Sequence, residues 1–327
     1  MKVQIIVLFA LLSLCSARLR DRTTRIKIGV ALSHIHLPQP MYSLLGGSEF
    51  NSMTAEWQMK WDPIGNDPNT PNFAWAEELM SFAQRYNQQV RGHTHIWHSA
   101  VPTWVQALES NPAELERVMV QHITSTANHF RGRCYEWDVV NEVIEGDGSI
   151  RNTIFSRALN TTFIATAFRI HRAADPAAKL FINDYNIEGV NAKSNALYNL
   201  VVSLLAQGVP IDGVGFQGHF IVGQVPSDFA ANMQRFANLG LDVSITELDV
   251  RMNMPPTAAN LQQQALDYQN AFRACYQVSR CTGVTVWGVT DLYSWVPSTF
   301  PGQGAALLFD EDYNAKPAYY AVESILN

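Results

Sequence analysis

The chain has 327 residues, 47% of them hydrophobic and 16% charged, with 23 Lys and Arg against 29 Asp and Glu for a formal net charge of −6. Such a composition can bury a sizeable core and excludes intrinsic disorder. A mildly acidic balance without Lys/Arg runs gives no electrostatic footprint for nucleic acid or an anionic membrane.

The first segment is a targeting signal by its pattern. Lys2 precedes an apolar run from Val3 to Leu14, followed by the small residues Cys15-Ser16-Ala17. The run is too short to span a bilayer, so residues 1–17 read as a secretory signal peptide, with 18–327 as the mature chain. No later segment is long and apolar enough to span. Export would leave Cys134, Cys275 and Cys281 in an oxidising compartment, where Cys275 and Cys281, flanking a short turn, are the natural pair and Cys134 a buried thiol. Asn160-Thr161-Thr162 is the only glycosylation sequon.

Short β-rich runs then alternate with longer amphipathic ones. The candidate strands are residues 26–32, 50–53, 89–97, 135–142, 179–185, 213–220, 242–250 and 283–290. Between them lie helical patterns. In 73–87 the residues Trp75, Leu79, Phe82 and Tyr86 share one face; in 192–207 Leu197, Val201, Leu204 and Leu205 do so, with Gly208 and Pro210 as stop signals. Pro317 fits the first turn of a last helix. Eight strand–helix units without a linker or a change of composition predict a single α/β domain, a (β/α)8 TIM barrel. The alternative, an open doubly wound sheet, is opposed by the lack of a glycine-rich phosphate loop after the first strand.

In a barrel, chemistry collects at the C-terminal ends of strands. Strand four ends Asp138-Val139-Val140-Asn141-Glu142 and strand seven Thr246-Glu247-Leu248-Asp249; strands five and six end Asn183-Asp184-Tyr185-Asn186 and Gln217-Gly218-His219. A carboxylate closing an apolar strand is costly to bury without work or a partner. Two Glu across a barrel mouth, in a chain with eight Trp and eleven Tyr, are the equipment of glycoside hydrolysis: one protonates the leaving oxygen and the other attacks the anomeric carbon or activates water.

These motifs carry a resemblance. Trp137-Asp138-Val139-Val140-Asn141-Glu142 and Ile245-Thr246-Glu247-Leu248-Asp249 resemble the acid/base and nucleophile motifs of family 10 glycoside hydrolases, the barrel endo-β-1,4-xylanases. Nearly the whole mature chain follows the pattern. Phe50 to Glu56 with Met59-Lys60-Trp61, Arg91-Gly92-His93-Thr94 with Trp97-His98-Ser99, Gly215 to His219, and Thr285-Val286-Trp287-Gly288 with Asp291 and Ser294-Trp295 resemble the family's other strand motifs. The Cys275/Cys281 spacing also matches its disulfide.

The resemblance implies roles. Glu142 would be the acid/base and Glu247 the nucleophile of a retaining mechanism. His219 would hydrogen-bond Glu247, and Asp249, on the same strand face, would orient that histidine. Asn141 would bind the hydroxyl at C2 of the sugar being cleaved. Glu56, Lys60, His93 and Gln217 belong to the substrate-binding set, and Trp97, Trp287 and Trp295 would wall the sugar ring. The implied protein is a secreted, monomeric endo-1,4-β-xylanase acting on xylan or a related β-1,4-linked wall polysaccharide, with no metal or organic cofactor and no nucleic-acid or membrane partner.

Two departures stand out. Trp57 occupies a position where the family has Asn, and Ala100 one where it has Gln, both among the sugar-binding positions. Three other readings remain open on sequence. One is a metal-dependent amidohydrolase, suggested by His34-Ile35-His36, whose i, i+2 spacing on a strand would turn both imidazoles to one face. Another is a weakened carbohydrate-binding barrel, suggested by the two departures. The third is a cellulase or mixed-linkage glucanase on the same fold.

Overall fold

A computed structural model describes residues 18–326; the segment read as a leader lies outside them. Eight strands form the central sheet: β1 (Lys27–Leu32), β2 (Ser52–Ala55), β3 (Gln89–Ile96), β4 (Cys134–Asn141), β5 (Lys179–Asp184), β6 (Gly213–Phe216), β7 (Asp242–Asn253) and β8 (Cys281–Val286). Each pairs in parallel with the next, and β8 pairs with β1 through Lys27↔Gly283 to Val30↔Val286. The ring is closed. One principal helix follows each strand: α1 (Pro40–Ser48), α2 (Ala74–Arg85), α3 (Pro112–His129), α4 (Thr162–Ala174), α5 (Ala192–Ala206), α6 (Phe229–Ala237), α7 (Ala258–Gln277) and α8 (Pro317–Leu326). This is the expected (β/α)8 barrel. Its strands are covered on both faces, which is why they read as near-continuous apolar runs rather than alternations.

The sheet holds charge as well as hydrocarbon. Arg91 on β3 and Glu136 and Asp138 on β4 are fully buried, with Arg91 Nη1 bonded to Glu136 and Arg91 Nε to Asp138 Oδ2 at 3.1 Å. Arg91 also lies 4.5 Å above the Phe181 ring. Burying three ionised groups is tolerable only because they satisfy one another. Near the mouth the backbones must come close: a Cβ on Gly215 would sit 2.2 Å from Asn183 Oδ1, so β6 leaves room for the Asn183 amide.

Several local expectations shift. The second strand begins at Ser52, because Asn51 turns its Oδ1 to accept from Ile28 N at 2.9 Å and Phe50 sinks into the core. The sixth does not run through to Phe220. Gly218, at φ +78°, turns the chain, and a short strand, His219–Ile221, pairs with the upper part of β7. Along α2 the buried face is Ala76, Leu79, Met80, Phe82 and Ala83; Trp75 is 45% exposed and stacks on His34 instead. His34-Ile35-His36 lies in a 3-10 turn beyond β1, so the i, i+2 strand geometry does not apply: His34 stacks on Trp75 and His36 on Tyr293. Cys275, near the end of α7, is disulfide-bonded to Cys281 at the start of β8, and Cys134 is a buried free thiol.

Candidate active site

The two glutamates stand at the C-terminal mouth, in different surroundings. Glu247 lies inside β7 and is 5% exposed. Asn183 at the end of β5 donates from Nδ2 to Glu247 Oε1 at 2.8 Å, and its own carbonyl is fixed by Thr246 Oγ1 at 2.7 Å. His219 Nε2 donates to Glu247 Oε2 at 3.3 Å, and His219 Nδ1 to Asp249 Oδ2 at 2.9 Å. Trp295 Nε1 adds a bond to the same Asp249 oxygen at 2.7 Å. Burial pushes His219 down, but Asp249 and then Glu247 outweigh it and hold the imidazole up at about 10. Burial likewise pushes Glu247 up, but His93, His219 and Lys60 hold its carboxyl below the usual range. Glu247 is therefore a carboxylate at neutral pH.

Glu142 follows the last residue of β4 and adopts φ +60°, a left-handed backbone uncommon for a residue with a side chain. Three groups hold it there. Its N–H donates to Asn183 O at 2.9 Å, its carbonyl accepts from Arg151 Nε at 2.7 Å, and Arg151 is anchored by Tyr185 Oη at 2.9 Å. The turn lifts the side chain out of the sheet, where Glu142 Oε1 accepts from Gln217 Nε2 at 3.1 Å and faces Asn141 Nδ2 at 3.4 Å. Asn141 Oδ1 accepts from both Asn183 (2.8 Å) and Gln217 (3.3 Å), which fixes the amide and turns its NH2 toward Glu142. One hydrogen-bonded path thus runs from Glu142 through Gln217, Asn141 and Asn183 to Glu247.

His93 stands beneath the pair. Its Nδ1 donates to Asp138 Oδ2 at 3.0 Å and its Nε2 is 4.0 Å from Glu247 Oε1. Trp287 lies beside both histidines, its ring nearly perpendicular to those of His93 and His219. Toward β2 the wall changes character. Lys60 is 5% exposed and its Nζ lies 4.2 Å from the centre of the Trp97 ring and 5.3 Å from that of Trp57. Burial lowers Lys60 to about 8 against the pull of Glu247, Glu142 and Glu56, and burial raises Glu56 to about 7. The Trp97 indole N–H is buried and has no partner among the described residues. Among those residues, no group of three or more His, Cys, Asp or Glu is arranged to hold a metal ion.

An ionised, donor-clamped carboxylate and a second, partly exposed one share this mouth with four tryptophans. The family model for glycosyl hydrolase family 10 matches residues 17–325. The chain belongs to that family. Among its relatives, the endo-1,4-beta-xylanase of Agaricus bisporus is 48% identical over 284 residues, covering 86% of this chain and 85% of that protein. Endo-1,4-beta-xylanase A of Phanerodontia chrysosporium is 42% identical over 297 residues, 90% of this chain and 73% of the other. The crystal structure of xylanase 10B from Thermotoga petrophila RKU-1 in complex with xylobiose superposes with a TM-score of 0.93 at 40% identity, covering 95% of this chain and 97% of that one. The glycosylated family 10 endo-beta-1,4-xylanase of Gloeophyllum trabeum gives 0.91 at 39% identity, with 94% and 98% covered. As a family 10 member, the chain is a glycoside hydrolase.

The structure brings Asn141, Glu142, Gln217, His219, Glu247, Asp249 and Trp295 into one set of hydrogen bonds. His93 and Trp287 lie beside it, Lys60 lies against Trp97, and Glu56 acts on Lys60 through space. Asn160 is exposed at the end of the short helix Ile154–Leu159. Three contributors were missed. Asn183 stood in a strand-end motif but was given no role, although a buried amide between two carboxylate strands has few other uses. Asp138 shares an inward face with Glu136 by simple alternation, a signal that was available. Arg151 had none, since it lies in a loop nine residues past the glutamate whose backbone it holds.

Proposed function

We propose that this glycoside hydrolase is a secreted, retaining endo-1,4-β-xylanase with Glu247 as nucleophile and Glu142 as acid/base. The observation that carries the assignment is the asymmetry of the pair. Glu247 is kept ionised against its burial by His93 and by His219, the latter held by Asp249, and is steadied by the Asn183 amide, as a nucleophile requires. Glu142 stands on the exposed side of the same path, where it can give a proton to the leaving oxygen and take one from water in the second step. In the first step the Glu247 carboxylate forms a bond to the anomeric carbon as the glycosidic C–O bond breaks and Glu142 protonates the departing oxygen. In the second, water deprotonated by Glu142 displaces Glu247. Asn141, with its carbonyl already committed, offers its NH2 to the hydroxyl at C2. The xylan substrate is supported by the names of the relatives.

Retention predicts that the first-formed sugar, followed by NMR, carries the β configuration, and that the two carboxyl groups lie about 5–5.5 Å apart. Glu142→Ala should slow xylan far more than an aryl glycoside with an activated leaving group, because only the former needs protonation. An α first product, or equal losses on both substrates, would remove the assignment. Reducing-sugar release from xylan, cellulose and mixed-linkage glucan side by side decides the substrate. Export is supported by the 1–17 pattern and the Cys275–Cys281 disulfide; thiol counting on the denatured, unreduced secreted protein should find one, Cys134.

A further inference from the structure

The Lys60 ammonium presents an unusual combination. It is buried, yet among the described residues it has neither a hydrogen-bond acceptor nor an ion-pair partner within contact distance, and its near neighbours are two indole faces, Trp97 at 4.2 Å and Trp57 at 5.3 Å. The stem of Lys60 is buried but its Nζ is not sealed from solvent, so water can meet its N–H bonds until a ligand replaces it, where a fully buried ammonium would need carboxylate or carbonyl oxygens. Here the carboxylates of Glu247, Glu142 and Glu56 act on it through space only. Lys60 follows Trp57 in one turn, with Lys60 N donating to Trp57 O at 3.0 Å, so the backbone itself brings the Trp57 ring to the ammonium. The turn is pinned to β1 by Gln58 Nε2, which donates to Ser33 Oγ at 3.1 Å. Trp57 is 37% exposed, which is high for so large an apolar side chain unless its open face has a use.

We propose that Trp57 is a positioning residue that sets specificity on the β2–β3 wall, acting with Trp97 as a two-indole clamp on Lys60. An aromatic face attracts the ammonium without accepting its N–H bonds in the directional way an oxygen does. The clamp fixes where the charge sits while leaving its donors free for a sugar hydroxyl, and the exposed face of Trp57 adds an apolar surface for the pyranose ring. An amide side chain at position 57 would compete with the sugar for those same donors. The ligand class is a neutral pyranose whose hydroxyls accept hydrogen bonds from Lys60.

The proposal rests on the glycoside hydrolase reading with xylan as substrate, and its test separates the two. Steady-state kinetics on an aryl β-xylobioside are compared for the parent, Trp57→Phe and Trp57→Leu, each with and without Lys60→Met. Trp57→Leu should raise KM about 10-fold with kcat within about 2-fold, and Trp57→Phe, which keeps a π face, should restore most of the loss. In the Lys60→Met background Trp57→Leu should change KM less than about 2-fold, since the cation it holds is gone. Equal effects of Leu and Phe, or an undiminished effect without the Lys60 charge, would overturn the clamp. If the parent fails to turn over xylan and the xylobioside alike, the functional reading falls. The clamp is then judged by calorimetric binding of xylotriose to the same variants: the same ordering supports it, and no difference between Trp57→Leu and parent rejects it.

Discussion

The two sides of the mouth are built on opposite principles. Around Glu247 the polar groups bond to one another: Asn183, Thr246, His219, Asp249 and Trp295 form one network. On the β2–β3 wall the Trp97 indole N–H is buried without a partner among the described residues, and the Lys60 ammonium meets only the Trp97 and Trp57 rings. The first side is preorganised, so its cost was met on folding and it can stabilise charge that develops in the transition state. The second leaves its donors for the substrate to satisfy, so it gains on binding and tells substrates apart by which hydroxyls they present. Changes on the network side should therefore fall on kcat, and changes on the wall on KM.

The largest expected effect tests the network. Asn183→Ala removes the donor to Glu247 and to Asn141 at once, and kcat on xylan should drop about 10²- to 10³-fold with little change in KM. A drop under about 10-fold would mean that Asn183 only fills space. Next comes the backbone support of Glu142. Arg151→Ala should cost about 10-fold in kcat on xylan and less on an activated aryl glycoside, because it displaces the proton donor rather than the nucleophile. Uniform losses would place its effect elsewhere.

The pH dependence sharpens the comparison. Lys60 carries its charge below about 8 and loses it above, whereas His219 stays cationic to about 10. As pH rises past about 8, KM should therefore rise as Lys60 loses its charge, an increase that Lys60→Met removes, whereas kcat should follow the proton on the Glu142 acid and be indifferent to Lys60. Glu56 titrates near 7 on the same wall, so Glu56→Gln serves as the control that removes its overlap. A KM that does not change across pH 8, or the same rise in the Lys60→Met variant, would deny the division of labour. The smallest effect concerns the two departures from the family pattern. Trp57→Asn alone should lower kcat/KM on xylan, and adding Ala100→Gln should offset part of that loss beyond what the two singles combined give, with a coupling of about 0.5–1 kcal/mol. Strict additivity would make them independent.

What the sequence disclosed follows the same physical division. Strands covered on both faces announce themselves as apolar runs, and their polar last residues mark the mouth, so the barrel, Glu142, Glu247, His219 and Asp249 were legible. What was hidden depends on backbone turns and long-range reach. Nothing in Asn141-Glu142-Val143 states that Glu142 turns to φ +60°, or that Arg151 will meet its carbonyl. Gly218 breaks the sixth strand and lets His219 pair beside Asp249, a step that periodicity reads straight through. Trp75 satisfies the 3.6-residue spacing of α2, yet it lies at the flank of the helix near its first turn, where the His34 ring rather than the barrel covers it.

The closure of the ring has a consequence in time. Lys27 of β1 has Gly283 of β8 as a partner, so the first strand lacks one of its neighbours until nearly the whole polypeptide has been synthesised. Contacts so distant in sequence form late and slowly. Without that last pairing the sheet has two unpaired edges rather than a closed ring. The Cys275–Cys281 bond, at the last helix–strand junction, fastens the chain beside that seam once both ends have met.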